Sequence, residues 1–361
     1  MSRTVVAESP VRVLIVDDSA FMRQSLSQMI ASEPDFEVVG TAFDGNNALE
    51  KIAAVDPDVV TLDLEMPGLG GLDTLRCIMD SFPRPVIIIS AFAEKDAPLT
   101  LEALSSGAFD CLPKQLCRSS LEIGHIRRDL LARLHAAGRL RRSQTSSTQQ
   151  RRPPLSVPVH SCQSFALAAV AIGASTGGPH ALEQILPALP QEFPAPILIV
   201  QHMPPGFTAD FSRRLNSLCA IEVREAACGD VIQPGVAYIA PAGLHLRVVQ
   251  HRSSSIGILT LDPEPSHTLH IPSVDVLMIS VAETYGHRAL GVILTGMGAD
   301  GAEGMAAIHR RGGITIGQDQ NSCAVYGMPR VCAELGVLSY VLPLSDISHQ
   351  LVETTRRRKH A

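Results

Sequence analysis

The chain has 361 residues, 45% hydrophobic and 18% charged, with a formal net charge of −6, 4% aromatic residues and no Trp. That composition suits two or three soluble globular domains, and it disfavours a nucleic-acid binder, which needs excess positive charge and aromatic stacking platforms. Eight Cys without a C-x-x-C pair exclude zinc-type spacing, no apolar run approaches the ~18 residues of a membrane span, and MSRTVVAESP lacks a signal-peptide core, so a cytoplasmic chain with small buried cysteines and no direct membrane insertion is expected.

VRVLIVDD, from Val11, predicts a buried strand. Ser19 predicts a helix cap, and Phe21, Met22, Leu26, Met29 and Ile30 then recur at helical spacing. FEVVGTA, DVVTLD, PVIIIS and a short segment in FDCLPK predict four further strands. NALEKIAAV, GLDTLRCIMDSF and a segment through Leu101 and Ala103 predict the helices between them. Strict alternation of strand and helix implies a parallel sheet covered on both faces.

A helical pattern from about Leu121 ends in the basic run GRLRR. SQTSSTQQRRPPLSVPVHSCQS follows, polar and Pro-rich without hydrophobic period. It cannot bury enough apolar area to offset its ordering entropy, which predicts a flexible linker. A second α/β pattern begins at FALAAVAIG. Its expected strands are ALAAVAIG, PILIVQH, AYIAP, HLRVV, IGILTLD, ALGVILTG and ITIGQD. Its expected helices are HALEQILPAL, TADFSRRLNSL, VDVLMISVAETY and AEGMAAIHRR. The expected division is a first domain over 11–135, a linker over 136–165 and a second domain over 166–355.

In the first domain, Asp17 and Asp18 follow the first strand and Asp63 ends the third. Ligands of open α/β sheets bind outside the carboxyl ends of the strands. Acids clustered there repel one another unless a cation sits between them, and Mg²⁺ suits carboxylate and water ligands. Ser90 ends the fourth strand and Lys114 follows the fifth, so a hydroxyl and an ammonium could reach a phosphoryl group on Asp63. A single Asp at a loop end is more often a solvated acid; the ordered set on four strand ends favours function.

In the second domain, Gly173-Ala174-Ser175-Thr176-Gly177 fits G-x-S-x-G between a strand and a helix, as a nucleophile elbow requires. Helix capping by Ser175 or Thr176, or phosphate binding by the loop, are the competing readings. His202 ends PILIVQH and is a candidate base; a loop-packing histidine is the alternative. Asp300 lies past ALGVILTG and is a candidate orienting acid, and it could also cap the helix that follows. The chain order Ser, His, Asp differs from that of α/β-hydrolases.

LIVDDS, TLDLEMPGLGGLD and the late Lys114 resemble a response-regulator receiver domain, with a flavodoxin-like fold, over about Arg12 to Leu134. AIGASTGGPHAL, LIVQHMPPGFT, AYIAP, PSVDVL, GVILTGMGADG and CAVYGMPR resemble the catalytic domain of the chemotaxis protein-glutamate methylesterases, the CheB family. The resemblance implies a flavodoxin-like receiver joined to a doubly wound, mostly parallel α/β esterase. It implies Asp63 as phosphoacceptor, with Asp17, Asp18, Asp63 and the Glu65 backbone carbonyl as Mg²⁺ ligands. Ser90 would be the switch hydroxyl and Lys114 the phosphate contact. Ser175 would be nucleophile, His202 base and Asp300 orienter, the Met297 backbone would help bind the oxyanion, and the esterase site would need no cofactor.

Methylated chemoreceptors as substrates and a chemotaxis-type histidine kinase as phosphodonor follow from the same resemblance, and nucleic acid does not. So does glutamine deamidation, and a receiver that covers the active site until phosphorylated. The chain departs from the family at Cys111, where an aromatic residue is frequent, and at Gln115, where proline is usual. Ser266–Pro272 is poor in arginine, and Met278-Ile279 stand where polar or basic residues are frequent. A DNA-binding regulator lacks support, having neither a helix-turn-helix pattern nor a basic C-terminal domain. A non-catalytic interaction protein would escape fluorophosphonate labelling, and a small-molecule esterase would differ in substrate profile.

Overall fold

The first strand, Val11–Val16 (β1), is buried along nearly its whole length, as a parallel strand covered on both faces must be. In this computed structural model the described residues are 9–90, 97–114, 120–146, 168–250 and 257–357. They fall into two compact units, Met1–Gln150 and Arg151–Ala361.

In the first unit, β1 joins Phe36–Ala42 (β2), Val59–Asp63 (β3), Val86–Ser90 (β4) and Asp110–Pro113 (β5) in a parallel sheet of order β2-β1-β3-β4-β5. Helices Ala20–Ala31 (α1), Gly45–Val55 (α2), Gly71–Ser81 (α3), Ala97–Ser105 (α4) and Ser120–Ser146 (α5) alternate with the strands. Ser19 caps α1 by accepting from the Met22 amide, as its position predicts. Met22, Leu26 and Ile30 face the core. Phe21, expected on the same face, is instead 62% exposed, because a first-turn side chain one position before Met22 turns about 100° away from it. Strand order reverses between β1 and β3, which opens a crevice at their carboxyl ends. Helix α5 continues to Ser146, past position 136 where the linker is expected to begin, and 147–165 lie outside the described residues.

In the second unit, seven parallel strands run in the order β14-β13-β12-β6-β7-β9-β8. They are Ala169–Ala174 (β6), Ile197–Gln201 (β7), Glu222–Glu225 (β8), Val236–Ile239 (β9), Ala289–Ile293 (β12), Ile314–Gln318 (β13) and Tyr340–Leu342 (β14). His245–Gln250 (β10) and Gly257–Asp262 (β11), expected simply as strands, form a separate antiparallel hairpin. Helices are Gly178–Ile185 (α6), Thr208–Leu218 (α7), Val274–Tyr285 (α8), Ala302–Arg310 (α9), Met328–Glu334 (α10) and Leu344–Arg357 (α11). The edge strands β8 and β14 escape sequence patterning: one is the charged EVRE and the other has three residues, the short and polar character by which edges avoid unwanted pairing. Order reverses between β6 and β12, so the crevice of this sheet opens beside Ser175.

Among the described cysteines five fit the expectation of small, sheltered residues: Cys111, Cys323 and Cys332 are buried, and Cys77 and Cys219 are half-buried. Cys228 is exposed, against that expectation, and Cys117 and Cys162 lie outside the described residues.

Candidate functional sites

The crevice of the first unit gathers the acids. Asp17 and Asp63 are each 1% exposed, whereas Asp18 is exposed, and one carboxylate oxygen from each of the three falls within 4.8 Å of the others. The Ser19 amide donates to Asp17 Oδ1 at 2.9 Å and the Glu65 amide to Asp63 Oδ1 at 3.1 Å. Arg23 donates to the Asp17 and Asp18 carbonyls, fixing the loop. An added Cβ at Gly71 would lie 2.1 Å from the Asp63 carbonyl oxygen, so α3 reaches the end of β3 only because this residue lacks a side chain.

Lys114 enters from the end of β5, where its amide donates to the Ser90 carbonyl at 2.7 Å. Its Nζ donates to Asp63 Oδ2 at 2.5 Å and lies 3.2 Å from Asp17 Oδ2 without hydrogen-bond alignment. Burial and the Asp17 charge push the Asp63 carboxyl up to about 6, partly opposed by Lys114. Burial would lower Lys114, but its bond and charge contact with Asp63 outweigh that and raise it. Two buried oxygens, Asp17 Oδ2 and Ser90 Oγ, have no hydrogen-bond partner. A buried oxygen left unpaired costs stability, and with three carboxylates around one point the set fits a hard divalent cation. Gln115 and 91–96 lie outside the described residues.

Between 3.8 and about 6 Asp63 of the folded protein holds a proton that the unfolded chain releases. Its stability contribution is therefore present below 3.8 and lost as pH rises through about 6. Asp63→Asn should stabilise the metal-free protein at pH 7 by on the order of 1–3 kcal/mol, the gap closing in acid. Thermal melting against pH checks this; a variant less stable at pH 7 would contradict it.

The second site is built on β6, β7 and β12. Ala174 pairs with Gln201 across β6 and β7, so Ser175 and His202 leave neighbouring strands at the same level, about 5 Å apart in backbone. The His202 amide donates to the Ala174 carbonyl at 3.1 Å, and Gln201 Nε2 donates to the carbonyls of Ser175 and His202 at 2.9 and 3.0 Å. The Ser175 amide donates to the Thr295 carbonyl beyond β12 at 3.0 Å. Gly177, at φ +76°, turns the chain into α6 and is its cap residue; neither Ser175 nor Thr176 caps it with a side chain.

His202 Nε2 bonds Asp300 Oδ2 at 2.8 Å. Its Nδ1 is buried without a partner; no hydrogen bond joins it to Ser175, and it is the nitrogen left to take a proton. Asp300 lies between Gly298 and Gly301, both at positive φ. It does not cap α9, whose cap is Gly301. It accepts instead from the first amides of α8: Val274 at 2.8 Å and Asp275 at 3.0 Å, with the Ser273 hydroxyl at 2.8 Å. Burial alone would raise Asp300, but His202 and these amides outweigh it and hold the carboxyl far below the usual range. Asp275 takes the opposite shift: burial and the Asp300 charge raise it, while the Gly304 amide bonds it at 2.8 Å.

Met297 is half-buried in the β12–α9 loop. Its neighbour Gly296 abuts the nucleophile candidate: a Cβ there would lie 2.8 Å from Ser175 Cβ and 2.2 Å from Met328 Sδ. Gly296→Ala should lower catalysis by roughly 10²-fold through misplacement of Ser175, with the fold retained; unchanged turnover would contradict that placement. Sequence reasoning missed Gly296, Gln201, Ser273, Asp275 and His270, whose ring stacks on His202 at 4.1 Å between centroids and 23° between planes. The segment PSVDVL carried the signal for Ser273 and Asp275, but not what they touch. Of the two departures in α8, Met278 is fully buried and Ile279 half-buried, so Met278 is core and cannot meet a receptor.

Comparison with known proteins identifies both domains. The receiver domain of response regulators matches 13–123, and the CheB methylesterase domain matches 170–351. The protein-glutamate methylesterase/protein-glutamine glutaminase of Pyrococcus abyssi is 43% identical over 350 residues, 95% of this chain and 93% of that protein. A second protein of that name, from Symbiobacterium thermophilum, is 44% identical over 355 residues, 94% of this chain and 96% of its own length. The crystal structure of the Thermotoga maritima CheB methylesterase catalytic domain is 41% identical with a TM-score of 0.51, covering 53% of this chain and all of that one. With both domains matched in order and relatives aligned along nearly its whole length, the chain belongs to the CheB family of receiver-linked protein-glutamate methylesterases.

Proposed function

We propose that this chain demethylates glutamate γ-methyl esters of chemoreceptors, and deamidates glutamines there, with Ser175, His202 and Asp300 as its triad. The bond between His202 and Asp300, one strand from Ser175, carries the reading. Ser175 Oγ attacks the ester carbonyl carbon as His202 Nδ1 takes its proton. The Met297 amide and the N-terminus of α6 would supply the positive charge that stabilises the oxyanion. The C–O bond breaks and methanol leaves with the proton from His202; water then attacks the acyl-serine with His202 again as base, the bond to Ser175 Oγ breaks, Oγ takes the proton back and the glutamate carboxylate is released. Asp300 stays ionised and steadies the imidazolium. For glutamine the leaving group is ammonia.

Asp63 accepts the phosphoryl group from a chemotaxis-type histidine kinase, with the Lys114 ammonium and Ser90 hydroxyl contacting its oxygens. Asp17, Asp18, Asp63 and the Glu65 carbonyl would hold Mg²⁺, which when bound supplies positive charge against those oxygens. The unphosphorylated receiver restrains the esterase, and moving from 1% to 99% release needs about 5.5 kcal/mol of differential stabilisation. A cytoplasmic location fits these partners, and no helix among the described residues is long and apolar enough to cross a membrane.

The test is methanol release from methylated chemoreceptor membranes, with and without a small phosphodonor and Mg²⁺. Release that rises with phosphodonor in the native protein, and not in Asp63→Asn, is expected. Release indifferent to phosphodonor would remove the switch and leave the hydrolase; no release at all would remove the substrate assignment.

A further inference from the structure

His245 opens β10 and is completely buried, with no part in the chemistry above. Its ring touches two groups whose hydrogen-bonding roles are fixed. The Ser273 amide, which can only donate, points at Nδ1 from 3.1 Å. The Pro265 carbonyl, which can only accept, lies 3.2 Å from Nε2. Nδ1 must therefore carry the lone pair and Nε2 the proton, so the ring is neutral in one tautomer. Burial also lowers its pKa, in keeping with a neutral ring.

Both contacts lead to the triad. Ser273, held at its amide by His245, donates its hydroxyl to Asp300 Oδ1 at 2.8 Å and begins the helix whose amides hold that carboxylate. On the other side, Thr268 Oγ1 lies 3.3 Å from His245 Nε2 and donates to the His270 carbonyl at 3.0 Å. His270 is the ring stacked on His202. One buried imidazole thus fastens both the acid that bonds His202 and the ring that lies against its face. We propose that His245 is a positioning residue for the triad: by clamping Ser273 and the 265–270 loop it sets the orientation of His202 towards Ser175.

The inference rests on the proposed role of Ser175, His202 and Asp300, and the test separates the two. In the full-length protein, the rate of Ser175 labelling by a serine-directed fluorophosphonate and the kcat and KM for methanol release are measured, each normalised to the folded fraction from circular dichroism. His245→Ala and His245→Gln should lower the labelling rate and kcat by ~10–100-fold, as loss of an outer hydrogen-bonding partner does, with KM little changed. His245→Asn, whose amide oxygen can replace Nδ1 as acceptor for Ser273, should restore most of the rate. Thr268→Val, on a partly exposed loop, should lower kcat several-fold and carries the test if His245→Ala does not fold. Native rates in Thr268→Val together with equal losses in Asn, Gln and Ala at 245 would overturn the proposal, as would native rates in all variants. Absence of labelling in the native protein, matching Ser175→Ala, would overturn the triad and this inference with it.

Discussion

Ser175→Ala should reduce methanol release from methylated receptor membranes by about 10⁴-fold or more, as loss of an activated nucleophile does in a triad enzyme. The fold should survive. The backbone groups of Ser175 are what the structure uses: its amide donates to Thr295, and its carbonyl accepts from Gly178 and from Gln201. Alanine keeps all three bonds and the Cβ that Gly296 packs against. Phosphorylation of Asp63 should also survive, because that chemistry lies in the other unit. Melting temperature and phosphodonor-dependent labelling of the receiver provide the controls. A folded Ser175→Ala protein that releases methanol at the native rate would remove Ser175 as nucleophile.

Asp300→Ala should fail on two counts at once. Catalysis should fall by roughly 10⁴-fold, because His202 loses the acceptor that fixes its tautomer and steadies its charged form. Stability should fall as well, by about 3–5 kcal/mol, since a buried, multiply bonded carboxylate is removed and its partners are stranded. Those partners are the Val274 and Asp275 amides, the Ser273 hydroxyl and His202 Nε2. For a unit the size of Arg151–Ala361 that loss corresponds to a drop in melting temperature of roughly 6–20 °C. The pH dependence has a definite sign. The Asp300 carboxyl is held below its ordinary value of 3.8, so its contribution is complete above 3.8 and is lost as pH falls below it. The gap in stability between native protein and variant should therefore narrow in acid. Asp300→Asn, which keeps the shape, should recover part of the stability and little of the activity. An Asp300→Ala protein with native melting temperature would contradict the role of this carboxylate at the head of α8.

The Asp63 and Asp300 carboxyls shift in opposite directions. Both acids are buried, yet one is raised and the other lowered. Asp63 has one strong cationic partner and a neighbouring anion, so burial wins. Asp300 has His202 and a helix N-terminus, so the partners win. Burial alone predicts the first outcome and not the second; the count and sign of what faces the carboxylate decide which holds.

The sequence by itself determined the alternating parallel architecture of the first unit, because buried strands read as unbroken apolar runs and their helices repeat at 3.6 residues. It also determined the candidates for chemistry: Asp63 and Ser90 end their strands, Asp17, Asp18 and Lys114 stand just past theirs, as do Ser175 and His202, and position along a parallel sheet carries a side chain to one edge. What it could not carry were contacts between segments far apart in the chain. That Asp300 bonds α8 rather than its own helix, that Gly296 lies against Ser175, and that His270 stacks on His202 are products of strand order. The edge strands β8 and β14 were equally hidden, since the charged EVRE carries no hydrophobic run and three residues are too few to show a period. Local pattern is written by a residue's neighbours in sequence, whereas the partners of a buried polar group are chosen by packing, and only the tertiary structure brings those partners together.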